Sequence, residues 1–139
     1  MKWEAYDGVP ADAGAVVDRG LGDFNASAAP TREIKRVSCF ARGESGEVIG
    51  GAVGRTWGEC CELQQLWVAE AHRRQGIGRR LLALFEDHAA KRGCRTFYLE
   101  TFSFQAPDFY RRAGYHVLGE IRGFPGGMVK YLMARILPR

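Results

Sequence analysis

Apolar and polar positions change their period several times along the chain, and each change marks an element. Lys2 to Asp7 predicts a short first strand, broken by Asp7-Gly8-Val9-Pro10. From Ala11 to Phe24 the apolar residues Val16, Val17, Leu21 and Phe24 return at helical spacing. Gly14, Gly20 and Gly22 work against that helix. Asn25 to Pro30 predicts a loop. Ile34 to Arg42 alternates around Val37 and Cys39 and predicts a strand, and Glu44-Ser45-Gly46 has the makings of a hairpin turn. Val48 to Trp57 is the return strand, in which Gly50-Gly51 suggests a bulge or a closely packed backbone. Cys60 to Val68 predicts a third strand.

Gly78 to Arg92 has the clearest helical pattern, with Ile77, Leu81, Leu82, Phe85 and Ala89 on one stripe and Gly93 as its terminator. Arg95 to Phe102 is rich in strand formers. Pro107 to Ala113 predicts a short helix, with Pro107 and Asp108 at its start and Arg111 and Arg112 at its end. Tyr115 to Ile121 and Met128 to Ile136 are the last strands. The order β-α-β-β-β-α-β-α-β-β predicts an α/β fold of the α+β kind. Its sheet is central and mixed, because hairpins and crossovers alternate.

Composition narrows the class. With 139 residues, 46% of them hydrophobic, the chain is expected to form one domain, 1–139, that buries its own core. A charged fraction of 26% excludes wholesale disorder. Glycine is in excess, 18 residues, without a collagen period. Cys39, Cys60, Cys61 and Cys94 form no C-x-x-C pair, so neither a zinc site nor a disulfide framework is expected. Reduced thiols, no apolar leader and no long apolar run point to a cytoplasmic protein, with no membrane partner and no metal.

Charge is unevenly spread. The net charge is +4, yet residues 72–95 alone carry +5. A solvated helix face accounts for such a segment, and so does an anion site. No basic tail accompanies it, which weighs against a nucleic-acid partner. Within the segment an apolar strand, Leu66-Trp67-Val68, runs into Arg73-Arg74-Gln75-Gly76-Ile77-Gly78-Arg79 and leaves as the strong helix. Free N–H groups at a helix start, glycines beside them and arginines around them suit a phosphate. The Lys-Ser/Thr of a Walker A loop is missing. A dinucleotide fingerprint begins at Gly76-Ile77-Gly78 but meets Leu81 where a small residue is needed.

Arg73-x-x-Gly76-x-Gly78 resembles the acyl-CoA pyrophosphate loop of the GNAT N-acetyltransferase superfamily. Phe109-Tyr110-Arg111-Arg112-Ala113-Gly114-Tyr115 resembles that family's late motif, and Ala106 fits with it. The element order agrees as well, so the resemblance spans nearly the whole chain and is thin before Ile34. One position departs: Ser103 stands where the family often has Asn.

The resemblance implies a fold and a site. The fold is a twisted mixed sheet, flanked by helices, in which one parallel strand pair splays apart. Acetyl-CoA is the expected co-substrate, held in the gap by Leu66, Trp67 and Val68, by the loop from Arg73 through Arg74, Gln75, Gly76, Ile77 and Gly78 to Arg79, and by Ser103. The Val68 N–H is the expected oxyanion donor. Tyr110 occupies the position of the acid that protonates the leaving thiolate, a role open to a phenol that stays neutral at pH 7.

Two carboxylates are candidates for the base. Counted by the two-residue strand period, Glu62 shares a face with Gln64, Leu66 and Val68. Glu100, on the neighbouring strand, is the second. An exposed strand carboxylate is the plain alternative for Glu62, and a packed aromatic is the plain alternative for Tyr110. Cys94 has no His partner, which speaks against an acyl-cysteine route. The function expected is N-acetyl transfer to a primary amine, of a small molecule, by direct attack in a ternary complex. A protein or peptide N-acetyltransferase and a CoA-binding module without turnover remain the alternatives. The terminal hairpin is a candidate homodimer surface.

Overall fold

The computed structural model describes residues 1–139. It divides into two compact units, residues 1–33 and residues 34–139. In the first, helix α1 spans Ala11–Ala28. It outlasts the apolar period that predicted its end at Phe24. Ala26, Ser27 and Ala28 contain no breaker, and the helix stops where Ala29, preceding Pro30, must become extended. The first strand expected at Lys2 to Asp7 does not form. A strand needs a partner for its hydrogen bonds, and every ladder in the molecule joins strands that lie between Lys35 and Ile136.

The second unit is a six-stranded sheet with two helices. Strands β1 (Lys35–Arg42), β2 (Val48–Trp57) and β3 (Cys60–Val68) form an antiparallel meander. Helix α2 (Ile77–Lys91) crosses over to β4 (Thr96–Phe102). Helix α3 (Pro107–Arg112) leads into β5 (His116–Ile121) and β6 (Lys130–Ile136). The strand order is β1-β2-β3-β4-β6-β5, and only β3 and β4 run parallel.

Helix α2 lies on one face of the sheet because its apolar stripe has a matching floor. It buries Leu81, Leu82, Phe85 and Ala89. Phe85 is 1% exposed and reaches the backbone of Gly54, and Leu81 reaches Gly50. The glycines of β2 therefore set the depth at which the helix sits. Cys61, Leu63, Phe97, Leu99, Met133 and Tyr115 complete this core. The start of α3 belongs to the same layer: the Phe109 ring lies 3.7 Å from where a Cβ on Gly78 would stand. At the other end of α2, the Arg92 guanidinium donates to the carbonyls of Lys35 and Arg36 and to the Thr56 hydroxyl, tying the helix to β1 and β2.

Candidate active site

A gap opens between the two parallel strands. β3 and β4 pair from Cys60 with Thr96 to Leu63 with Leu99 and no further. Beyond that point β3 follows β2, whereas β4 stays on β6 along its full length. The divergence begins at a β-bulge. Leu63 pairs with Gly54 and Gln65 with Val53, so Gln64 has no partner on β2. A bulge bends its strand and increases the local twist. Gly54 makes it possible, because a Cβ there would collide with the Glu62 carbonyl.

The bulge also decides which groups face the gap. The Ala69 N–H donates to the Ile49 carbonyl at 2.7 Å, which makes Gly50 and Val68 a non-hydrogen-bonded pair. Ala52 and Leu66, two residues away, are the same kind of pair. The backbone N–H and C=O groups of Leu66 and Val68 consequently point away from β2 and into the gap. The Val68 carbonyl accepts from Arg73 Nε at 2.9 Å, leaving the Val68 N–H free. An extended ligand can add to this edge as a strand would.

At the end of β3 the chain makes a 3-10 turn over Glu70–His72 and enters the glycine loop. Arg74 has φ 64°, the one non-glycine residue with positive φ, and Gly76 has φ 77°. Backbone held in that region costs about 1–3 kcal/mol for a residue with a side chain, and it persists where the surroundings enforce it. No side chain caps α2. The N–H groups from Arg74 to Arg79 find no backbone acceptor, and the space over Gly76 is open. With exposed Arg73, Arg74 and Arg79 around them, these donors fit a diphosphate. The arrangement therefore suits the phosphate-bearing end of a polyanionic ligand. His72 sits in the turn before the loop, away from the gap.

A cavity of about 510 Å³ fills the gap. Leu66, Thr101, Ala106 and Tyr110 line it on the side of the helices, and Gly51, Gln65, Trp67 and Glu100 line it on the other. It thus passes through the sheet, and two reactants can enter from opposite faces. Tyr110 is 8% exposed, packed against Phe109 at 5.1 Å and Tyr115 at 5.8 Å between ring centroids. Its hydroxyl has no hydrogen-bond partner in the chain, yet it is not sealed off, since no buried polar side-chain atom lacks a partner. Burial pushes its ionisation up to about 12, so the proton stays on at neutral pH and can be donated. Tyr115 braces this helix: its hydroxyl donates to Glu86 at 2.7 Å, and Arg135 pairs with the same carboxylate at 2.9 Å.

Not every expected site residue converges here. Glu62 does not share a face with Leu66 and Val68. The alternation counted from the sequence runs through the bulge, and the extra residue at Gln64 reverses it. Glu62 faces away from α2, on the side of Gln65 and Trp67, and pairs with Arg55 at 2.9 Å. It opens into a second cavity of about 430 Å³ with Trp57, Cys60 and Tyr98, not into the one that holds Tyr110. Trp67 likewise points away from the loop and α2, and its backbone is spent on Gly51. Ser103 is engaged twice with Val129: its N–H donates to the Val129 carbonyl at 2.8 Å and its Oγ accepts from the Val129 N–H at 3.0 Å. Glu100 does line the main cavity and pairs with Lys130 at 2.8 Å. Burial raises the Cys94 thiol, which keeps it protonated and unreactive. Gln105, which the sequence did not single out, closes the end of β4 by accepting from the Phe102 N–H at 2.7 Å. The sequence suggested a bulge or close packing at Gly50-Gly51; those two are closely packed, and the bulge falls further along the strand, at Gly54, a glycine inside a strand that was not singled out.

Comparison with known proteins agrees with this geometry. Residues 18–115 match the model of the acetyltransferase (GNAT) family. Blasticidin-S acetyltransferase of Streptomyces morookaense is 36% identical over 107 residues, covering 76% of this chain and 79% of that protein. An acetyltransferase of Agrobacterium fabrum is 31% identical over 91% of this chain and 93% of its own. The crystal structure of an acetyltransferase from Bacillus cereus superimposes with a TM-score of 0.81 at 28% identity, covering 96% and 98% of the two chains. The splayed parallel pair, the glycine loop at the head of α2 and these matches together place the chain in the GNAT family of N-acetyltransferases.

Proposed function

We propose that the protein transfers the acetyl group of acetyl-CoA to a primary amine of a small molecule, by direct attack while both substrates are bound. The observation that carries this reading is the cavity that crosses the sheet at the gap. A loop of free amide donors lies at its helix side, and a protonated tyrosine lies in its wall. Similarity to blasticidin-S acetyltransferase, which acts on a small molecule by its name, supports the small-molecule acceptor.

Each residue has a part. Acetyl-CoA supplies the activated acetyl thioester. The N–H groups from Arg74 to Arg79 hold its diphosphate, with Arg73 locking the turn through the Val68 carbonyl. The free edge of Leu66 and Val68 aligns the pantetheine arm, and the Val68 N–H is the donor for the developing oxyanion. Tyr110 gives its proton to the departing sulfur. Glu100, in the same cavity, takes the proton that the amine loses. Glu62 opens elsewhere, so its part is the ion pair with Arg55. The chain acts as a homodimer, in which a second copy covers the exposed Leu118, Ile121, Leu132 and Ile136 of the terminal strands.

The test is release of free CoA from acetyl-CoA across a panel of amines, amino acids, aminoglycosides and basic peptides. Release with small amines is expected. Release with peptides alone would move the protein to the peptide-modifying class. Binding of CoA without release for any acceptor would reduce it to a CoA-binding module.

A further inference from the structure

The amine side of the cavity has a wall of its own. Phe40, Gly51 and Trp67 stand in one cross-strand row over β1, β2 and β3, on the sheet face away from α2. Adjacent strands lie about 4.8 Å apart, so the two aromatic residues flank a glycine floor at backbone positions about 10 Å apart. The glycine is required by the ring beside it: a Cβ on Gly51 would stand 2.8 Å from Phe40 Cδ1. Phe40 therefore leans over the floor. Both aromatic residues line the cavity, yet Phe40 remains 51% and Trp67 53% exposed. Both side chains stay open to the cavity that the amine must occupy.

Across the gap, β4 contributes Glu100, whose side chain is 54% exposed and paired with Lys130. It gives this half of the cavity a carboxylate beside the rings. The two features select one acceptor chemistry. A flat unsaturated ring stacks on Phe40 and Trp67, and an ammonium group attached to it turns toward Glu100. Ring site and carboxylate stand on different strands, on either side of the gap, so an alkyl arm has to join the acceptor's ring to its nitrogen.

Resting on the transferase reading of this cavity, we infer that the acceptor is an arylalkyl- or heteroarylalkylamine whose ring docks on the Phe40–Gly51–Trp67 row. Trp67 and Phe40 are then specificity residues, since they touch the acceptor's ring and not its reacting nitrogen.

The test compares 2-phenylethylamine with 2-cyclohexylethylamine, which match in charge and arm length. Calorimetric affinities are measured on the full chain with CoA present, and free-CoA release is measured separately with acetyl-CoA. The aromatic amine should bind about fivefold tighter, as expected of ring stacking beyond simple burial. Trp67→Ala should abolish the difference, Trp67→Phe should restore most of it, and affinity for CoA should hold in both. Gly51→Ala, which displaces the Phe40 ring, should weaken the aromatic amine alone, and it serves if Trp67→Ala does not fold. Equal affinities for the two amines, or a difference that survives both variants, overturns the inference even if CoA is released. Aromatic preference without CoA release upholds the docking row, and it removes the transferase reading when no amine of the wider panel releases CoA either.

Discussion

Tyr110 carries the chemistry on which the site's reading depends, and its environment fixes how it behaves. Burial holds its hydroxyl as a phenol up to about pH 12. The account predicts that Tyr110→Phe lowers kcat roughly 10²-fold, with little change in the KM for acetyl-CoA. It also predicts that no basic limb from this residue enters the pH–rate profile below about pH 10, since a proton held up to about 12 remains on throughout that range. A rate that falls already between pH 8 and 9 in the wild type and not in Tyr110→Phe contradicts this. The two carboxylates separate in the same assay. Glu100→Gln should slow the reaction at least tenfold, whereas Glu62→Gln should change it less than about twofold. Tyr110, Gly76 and Gly78 were legible in the sequence because short motifs fix them relative to one helix end. The face of Glu62 was not, because counting by twos assumes an unbroken ladder. The glycines of β2 pointed to a bulge, but at Gly50-Gly51 and not at Gly54, where the break lies.

Among the elements, the bulged β3 and the braced α3 hold the site open. Gly54→Ala forces a methyl group against the Glu62 carbonyl and the Phe85 ring, and should cost about 1–3 kcal/mol in urea unfolding, as overpacking does. Because the bulge starts the divergence of β3 from β4, the same variant should also weaken CoA binding. An unaltered CoA affinity would separate the gap from the bulge. The brace is readable in its pH dependence. Burial, and then the Glu86 carboxylate, hold the Tyr115 hydroxyl well above the ordinary tyrosine range. A raised folded-state value means that this contribution is complete below about pH 10, where unfolded tyrosine ionises, and is lost as pH rises beyond it. Wild-type stability should therefore fall between pH 9.5 and 11. Tyr115→Phe should be less stable at pH 8 by about 1.5–3 kcal/mol, having lost a hydrogen bond to a charged group, but should decline less over that interval. Most elements were visible as changes of hydrophobic period. The misses were at Lys2 to Asp7 and after Phe24. Strand pairing is a long-range property in the first case, and in the second a helix runs past its apolar stripe until something stops it, here Ala29 before Pro30.

At the scale of the whole molecule, uneven charge and an interrupted sheet serve one purpose. Of the basic residues that give 72–95 its +5, Arg73, Arg74, Arg79 and Arg80 stand at the loop and first turn of α2, and the cavity beyond pierces the sheet. In the proposed reaction, anion and amine approach from opposite faces and meet at the gap. Sedimentation equilibrium should report a dimer, and replacing Leu118 and Ile136 by lysine should yield a monomer; a wild-type monomer removes the terminal hairpin as an interface. That two reactants occupy the gap together is the central claim, and initial rates measured while varying acetyl-CoA and a small primary amine test it most directly. The account predicts double-reciprocal lines that intersect, as a ternary complex requires. Parallel lines, the sign of an acetylated enzyme formed before the amine binds, would contradict it.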